Sequence, residues 1–76
     1  MPRITPIHWK KFEKFVLYLG CTFNHQKGDH RIYKRSDLKR PVVVTVDTQL
    51  PIVHIKTNLN TLGISHDEYL QILKKI

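Results

Sequence analysis

The sequence predicts an α+β fold: one amphipathic helix, a meander of three short antiparallel strands, then one or two helices, with the helices on one face of the sheet and the other face open. Three observations predict it. Apolar residues recur at three- and four-residue steps from Trp9 to Leu19. β-Branched and aromatic residues, punctuated by turn formers, follow from Cys21 to Val46. Ser65, with Glu68 three residues on, then forms a capping pattern ahead of a closing helical stretch. At 76 residues the chain has room for one domain, taken as residues 1–76, with one modest core.

Each element has its own signal. The first helix carries Trp9, Phe12, Phe15, Val16 and Leu19 on one face and stops at Gly20. Thr5 is placed to cap it, Pro6 to take the first helical position, and Ile4 to staple against Trp9. Lys10, Lys11 and Lys14 fall on the wet side. The meander turns first at Gly28-Asp29 and again across Ser36–Arg40. Pro41 then opens a strand with Val42, Val44 and Val46 on one face and Val43 and Thr45 on the other. Residues 47–56, which include Pro51, read as a connecting loop or irregular extended segment. Thr57–Leu62 reads as a short helix stopped by Gly63, and Ser65–Lys75 as the last one, with Tyr69, Leu70, Ile72 and Leu73 supplying apolar surface.

Composition narrows the function classes. Hydrophobic residues make up 41% and charged residues 25%, the balance of a folded chain. Thirteen Lys and Arg against six acidic residues give a net charge of +7, which favours a polyanion or an acidic protein as partner. Cys21 stands alone, so neither an intramolecular disulfide nor a cysteine-based zinc site is expected, and a reducing, cytoplasmic setting fits. The longest apolar stretch, Phe15 to Phe23, is broken by Gly20 and falls short of the roughly 20 residues a membrane helix needs, so no membrane association is expected.

The chemistry concentrates in Lys27-Gly28-Asp29-His30-Arg31-Ile32-Tyr33-Lys34-Arg35, where a Gly-led turn hands a histidine to the start of a basic strand. Lys27, Arg31, Lys34, Arg35, Lys39 and Arg40 lie along this hairpin, opposed only by Asp29 and Asp37. Strand alternation groups Arg31, Tyr33 and Arg35, so two guanidinium groups would flank a ring able to stack on a base; the competing reading buries Tyr33 in the core. An imidazole can exchange a proton near neutral pH, and RNA supplies its own nucleophile. A base at His30 that takes the 2′-OH proton lets that oxygen attack the neighbouring phosphorus, with nearby cations steadying the charge, and no metal is required. The same alternation puts His30, Ile32 and Lys34 on one face unless the turn leaves a bulge. His25 could meet His30 across the hairpin, but nothing joins them at metal-ligand spacing. His8, His54 and His66 read as helix or loop surface, and Cys21 as a small core residue.

Taken together, the helix ending in Gly20, Lys27-Gly28-Asp29-His30-Arg31-Ile32-Tyr33-Lys34, Arg40-Pro41-Val42-Val43-Val44 and Leu59-Asn60-Thr61-Leu62-Gly63-Ile64-Ser65 resemble the HicA toxins over most of the chain. The resemblance implies a double-stranded-RNA-binding-like α-β-β-β-α fold and the activity of a metal-independent mRNA interferase that needs no cofactor. It maps the family's Gly, Ser/Asp and catalytic His onto Gly28, Asp29 and His30. It implies mRNA as substrate, contacted by Lys27, Gly28, Arg31, Tyr33, Lys34 and Arg35, and a HicB-type antitoxin as protein partner. Many relatives carry a second histidine or another polar residue at Arg31 and a phenylalanine at Tyr33, and commonly a histidine and a Gly-Thr pair where this chain has Asp47, Thr48, Lys56 and Thr57. The competing readings are a non-catalytic RNA-binding module of the same fold, and an interaction protein that uses its basic face on an acidic protein alone.

Overall fold

The computed structural model describes residues 3–76. Its elements run α1 (Trp9–Tyr18), β1 (Thr22–Lys27), β2 (His30–Lys34), β3 (Val42–Thr45), α2 (Ile52–Leu62) and α3 (His66–Leu73). The strands form one antiparallel sheet in the order β1-β2-β3. This α-β-β-β-α-α order is that of an α+β double-stranded-RNA-binding-like fold.

The covered face of the sheet is made by Tyr33 of β2 with Val42 and Val44 of β3, all fully buried. Phe12, Phe15 and Val16 of α1, Ile55 and Leu59 of α2 and Tyr69 of α3 close over them. Phe15 and Tyr69 meet edge to face, with ring centroids 4.8 Å apart, which ties the first helix to the last. Each of these large side chains stabilises the fold by roughly 1.5–3 kcal/mol through burial.

Register fixes which residues look outward. Lys27 pairs with His30, His25 with Ile32, His30 with Thr45 and Ile32 with Val43. Directly paired residues share a face, so His25, Lys27, His30, Ile32, Lys34, Val43 and Thr45 all lie on the side away from the core. A shift in register between Phe23 and His25 leaves Asn24 out of the ladder. His25 therefore meets Ile32 and only diagonally approaches His30.

Two helix starts differ from the sequence reading. Thr5 and Pro6 do not open α1. The Leu50 N–H donates to the Ile7 carbonyl at 2.7 Å and the Trp9 N–H to the Asp47 carbonyl at 3.0 Å, which holds the chain extended until His8 caps the helix with its own imidazole. Ile4 is buried in the core. The segment read as a loop over residues 47–56 is helical from Ile52, with Pro51 as the extended residue before it. A proline has no N–H to lose at a helix start, so Pro51 marks the beginning of α2. The last helix begins at His66 with Ser65 as its cap, accepting from the Glu68 N–H at 3.2 Å. Val46, expected on one strand face with Val42 and Val44, lies beyond the strand and is exposed, its N–H donating to the Asp29 carbonyl at 2.7 Å.

Candidate active site

Gly28 turns the β1-β2 hairpin at a φ of +61°, a left-handed conformation that other residues adopt at a cost. Asp29 follows it and serves two purposes. Its carbonyl accepts the Val46 N–H, and its carboxylate lies 2.9 Å from Nδ1 of His30. The bond orients the ring and, in the neutral imidazole, places the proton on Nδ1, which leaves Nε2 free to accept another. Both side chains are more than half exposed, 55% for His30 and 65% for Asp29, so a polymer can reach them.

His30 opens onto a groove of about 250 Å³ between the outer face of β3 and α2. Val43 and Thr45 form its floor, Arg40 and Pro41 one end, and His54, Thr57 and Thr61 of α2 its far wall. None of the lining residues is acidic. Asn58 sets the position of that wall. Its buried amide donates to the Val43 carbonyl at 2.8 Å and accepts the Val43 N–H at 3.3 Å, completing the free edge of the sheet as a further strand would. Arg40 is shared with a neighbouring hollow of about 260 Å³, where Lys34 and Lys39 join it. The basic surface thus runs from His30 past Arg40 to Lys34. Among the described residues no group of three or more His, Cys, Asp or Glu side chains is arranged to hold a metal ion.

Of the residues singled out in the sequence, Lys27, Gly28, His30 and Lys34 are exposed and lie on this side of the molecule. Tyr33 is not available for stacking on a base. It is fully buried, its hydroxyl donates to Glu13 of α1, and burial together with that carboxylate pushes its pKa up to about 12. Arg31 shares the covered side. It donates to Tyr33 at 3.0 Å, Gln26 at 2.8 Å and Glu13 at 3.1 Å, while its guanidinium sits 4.3 Å from the Phe23 ring centre and 5.3 Å from that of Trp9. Arg35 is engaged as well, clamping Asp37 at 2.6 Å and the Leu19 carbonyl at 2.6 Å, so it fastens the second turn to the end of α1. Arg31 and Arg35 are therefore framework cations, and the groove takes its positive charge from Arg40, with Lys39 in the neighbouring hollow. Cys21 is buried, which pushes its thiol pKa up and leaves it a core residue.

His54, expected on an unremarked surface, instead forms the groove wall. A signal for it exists in the sequence: once α2 starts at Ile52, the residues His54, Thr57, Asn58 and Thr61 fall at i, i+3, i+4 and i+7 as one polar stripe.

Comparison with protein-family models gives a match to the HicA toxin of bacterial toxin-antitoxin systems over residues 9–64, which spans the helix, the meander, the His30 turn and the groove wall. The chain belongs to the HicA toxin family. Searches of curated proteins and of solved structures returned no match. This HicA-family chain is the toxin of a toxin-antitoxin system, which implies an antitoxin as its partner. No helix among its described residues is long and apolar enough to cross a membrane.

Proposed function

We propose that this toxin is an mRNA interferase, an endoribonuclease of the cytoplasm in which His30 acts as the acid/base residue. The observation that carries the reading is the Asp29 carboxylate on Nδ1 of His30, at the mouth of a groove whose lining holds a cation and no acid. With Nε2 aimed at a ribose, His30 takes the proton of the 2′-OH as that oxygen forms its bond to phosphorus and the P–O5′ bond breaks. The products are a 2′,3′-cyclic phosphate and a 5′-hydroxyl, so the chemistry needs neither water as nucleophile nor an added cofactor. Arg40 and Lys39, with Lys34 and Lys27 flanking, bind the phosphates and steady the phosphorane charge. A HicB-type antitoxin that covers His30 and the groove would silence the toxin, and the +7 charge would speed its approach if it is acidic.

The test is cleavage of end-labelled single-stranded mRNA by nuclease-free protein in the presence of EDTA. Wild type is expected to release fragments ending in cyclic phosphate, and His30→Ala to lose roughly 10²–10⁴-fold in rate while keeping its fold and its antitoxin binding. Protein that shifts RNA in a gel and never shortens it would instead be a binding module. Undiminished cutting by His30→Ala would remove that residue from the mechanism.

A further inference from the structure

We infer that His54 is the second catalytic residue of this toxin, the general acid that protonates the 5′-oxygen as it leaves. The inference rests on the endoribonuclease reading and adds a role that His30 alone does not fill. Transfer of phosphorus to the 2′-oxygen expels an alkoxide, a strongly basic leaving group. A base on the attacking side therefore does half of the proton work, and the other half falls to a donor on the opposite side of the phosphorus. The groove has two walls, and each carries one imidazole: His30 from β2 and His54 from α2.

The placement of His54 is fixed by the fold. Asn58, one helical turn further on, is pinned by its amide to both backbone groups of Val43, which sets the rotation of α2 about its axis. His54 stands on the same stripe of the helix. On the sheet side, His30 is paired with Thr45, two residues along from Val43 and facing the same way. One strand, through Val43 and Thr45, thus references both rings. His54 lies in the first turn of α2, which holds no acidic residue, and Arg40, which also lines a hollow with Thr57, Asn60 and Thr61, supplies the cation of the same groove. A phosphate drawn into the groove by Arg40 meets one imidazole from the sheet and one from α2.

The steps balance with both rings in place. Nε2 of neutral His30 gains the 2′-OH proton, the O2′–P bond forms, the P–O5′ bond breaks, and the imidazolium of His54 gives its proton to O5′. The pair finishes with its protonation states exchanged and is reset through solvent.

The test separates a general acid from a binding group. Two RNA oligonucleotides of one sequence are compared, one ordinary and one with sulfur in place of the 5′-bridging oxygen at the cleaved linkage, since a thiolate leaves without a proton. His54→Ala, an exposed position whose variant is expected to melt with wild type, should cut the ordinary RNA at least about 10²-fold more slowly and the sulfur-bridged RNA within a few-fold of wild type. His30→Ala should be slow on both, and His66→Ala, outside the groove, should match wild type on both. Equal rates for His54→Ala and wild type on ordinary RNA would overturn the role of His54 and leave the endoribonuclease standing. So would a loss that the sulfur bridge does not relieve, which would make His54 a group that binds the substrate. If wild type cuts neither RNA, the endoribonuclease reading falls first and this one with it.

Discussion

The side-chain amide of Asn58 takes the place of a fourth strand beside Val43, satisfying the carbonyl at 2.8 Å and the N–H at 3.3 Å. It is the buried polar side chain of the core, and its two bonds hold α2 against the sheet. Asn58→Leu is expected to destabilise the protein by about 2 kcal/mol, since both backbone groups lose their partner and the bulkier residue denies them water. With a urea dependence of about 1 kcal/mol per M for so small a chain, the unfolding midpoint should fall by about 2 M. An unchanged midpoint would show that the edge is satisfied without the amide.

Two buried tyrosines should respond in opposite ways to loss of the hydroxyl. Tyr33 donates to Glu13 and accepts from Arg31, so Tyr33→Phe removes one of the two donors to Glu13 and a partner of Arg31 and should cost about 1–2 kcal/mol. The Tyr69 hydroxyl is buried with no partner among the described residues. Tyr69→Phe removes a desolvated polar group and should leave stability unchanged or raise it. Thermal melts of the two variants beside wild type decide the matter.

The same tyrosines set an alkaline limit on stability. Burial holds the pKa of each at about 12, against 10 for the free side chain. Between those values the unfolded chain binds fewer protons than the native one, so the contribution is complete below pH 10 and is lost as pH rises through about 12. Each tyrosine should withdraw on the order of 2 kcal/mol across that window. The Cys21 thiol, also raised by burial, acts in the same direction. Urea midpoints measured from about pH 8 to about pH 12 should drop accordingly, and Tyr69→Phe should show the shallower fall.

Asp29→Asn tests the orientation of His30. An amide can donate to Nδ1 where the carboxylate could only accept, which favours the tautomer with its proton on Nε2. Cleavage should slow about tenfold or more, with little change in stability, because the Asp29 backbone carbonyl still holds the Val46 N–H. A rate equal to wild type would mean that the carboxylate does not choose the tautomer.

Charge substitutions should sort by the place of each cation. Lys39→Gln and Arg40→Gln should weaken binding to single-stranded RNA and lower the slope of log affinity against log salt by about 0.7 for each phosphate no longer neutralised. Arg31→Gln should instead cost stability and leave the salt slope close to that of wild type, since its guanidinium is bonded to Glu13 and Gln26. A shallower slope in Arg31→Gln would place that residue on the RNA.

Much of the fold is legible in the sequence because its signals are local. The Trp9–Leu19 periodicity, the alternation of Val42 to Thr45, Gly28 at its turn and the Ser65 cap each declare themselves within a few residues. Non-local pairings hide the rest. Thr5 and Pro6 carry a good helix-start signal, which Leu50 and Asp47 override by holding residues 7 to 9 with backbone bonds from distant parts of the chain. Ile52 and Val53 are β-branched and follow a proline, so the first turn of α2 reads as extended chain, and His54 drops out of the site with it. Arg31 and Tyr33 read either way, as a base-stacking face or with Tyr33 in the core, because strand parity gives two faces and does not say which is wet. Glu13, on another element, decides it.

Alternation along β2 separates two kinds of inheritance. Even-numbered residues of the strand, His30, Ile32 and Lys34, face the groove side, while Arg31 and Tyr33 bind the sheet to α1. In a population escaping the toxin by mutation, lesions at even positions would leave a folded protein that still occupies its antitoxin. Disruptive lesions at odd positions would destabilise the fold and lower the amount of protein that holds the antitoxin. Neighbouring codons would thus give survivors of opposite genetic character, one acting as a sink for the antitoxin and one as a plain absence.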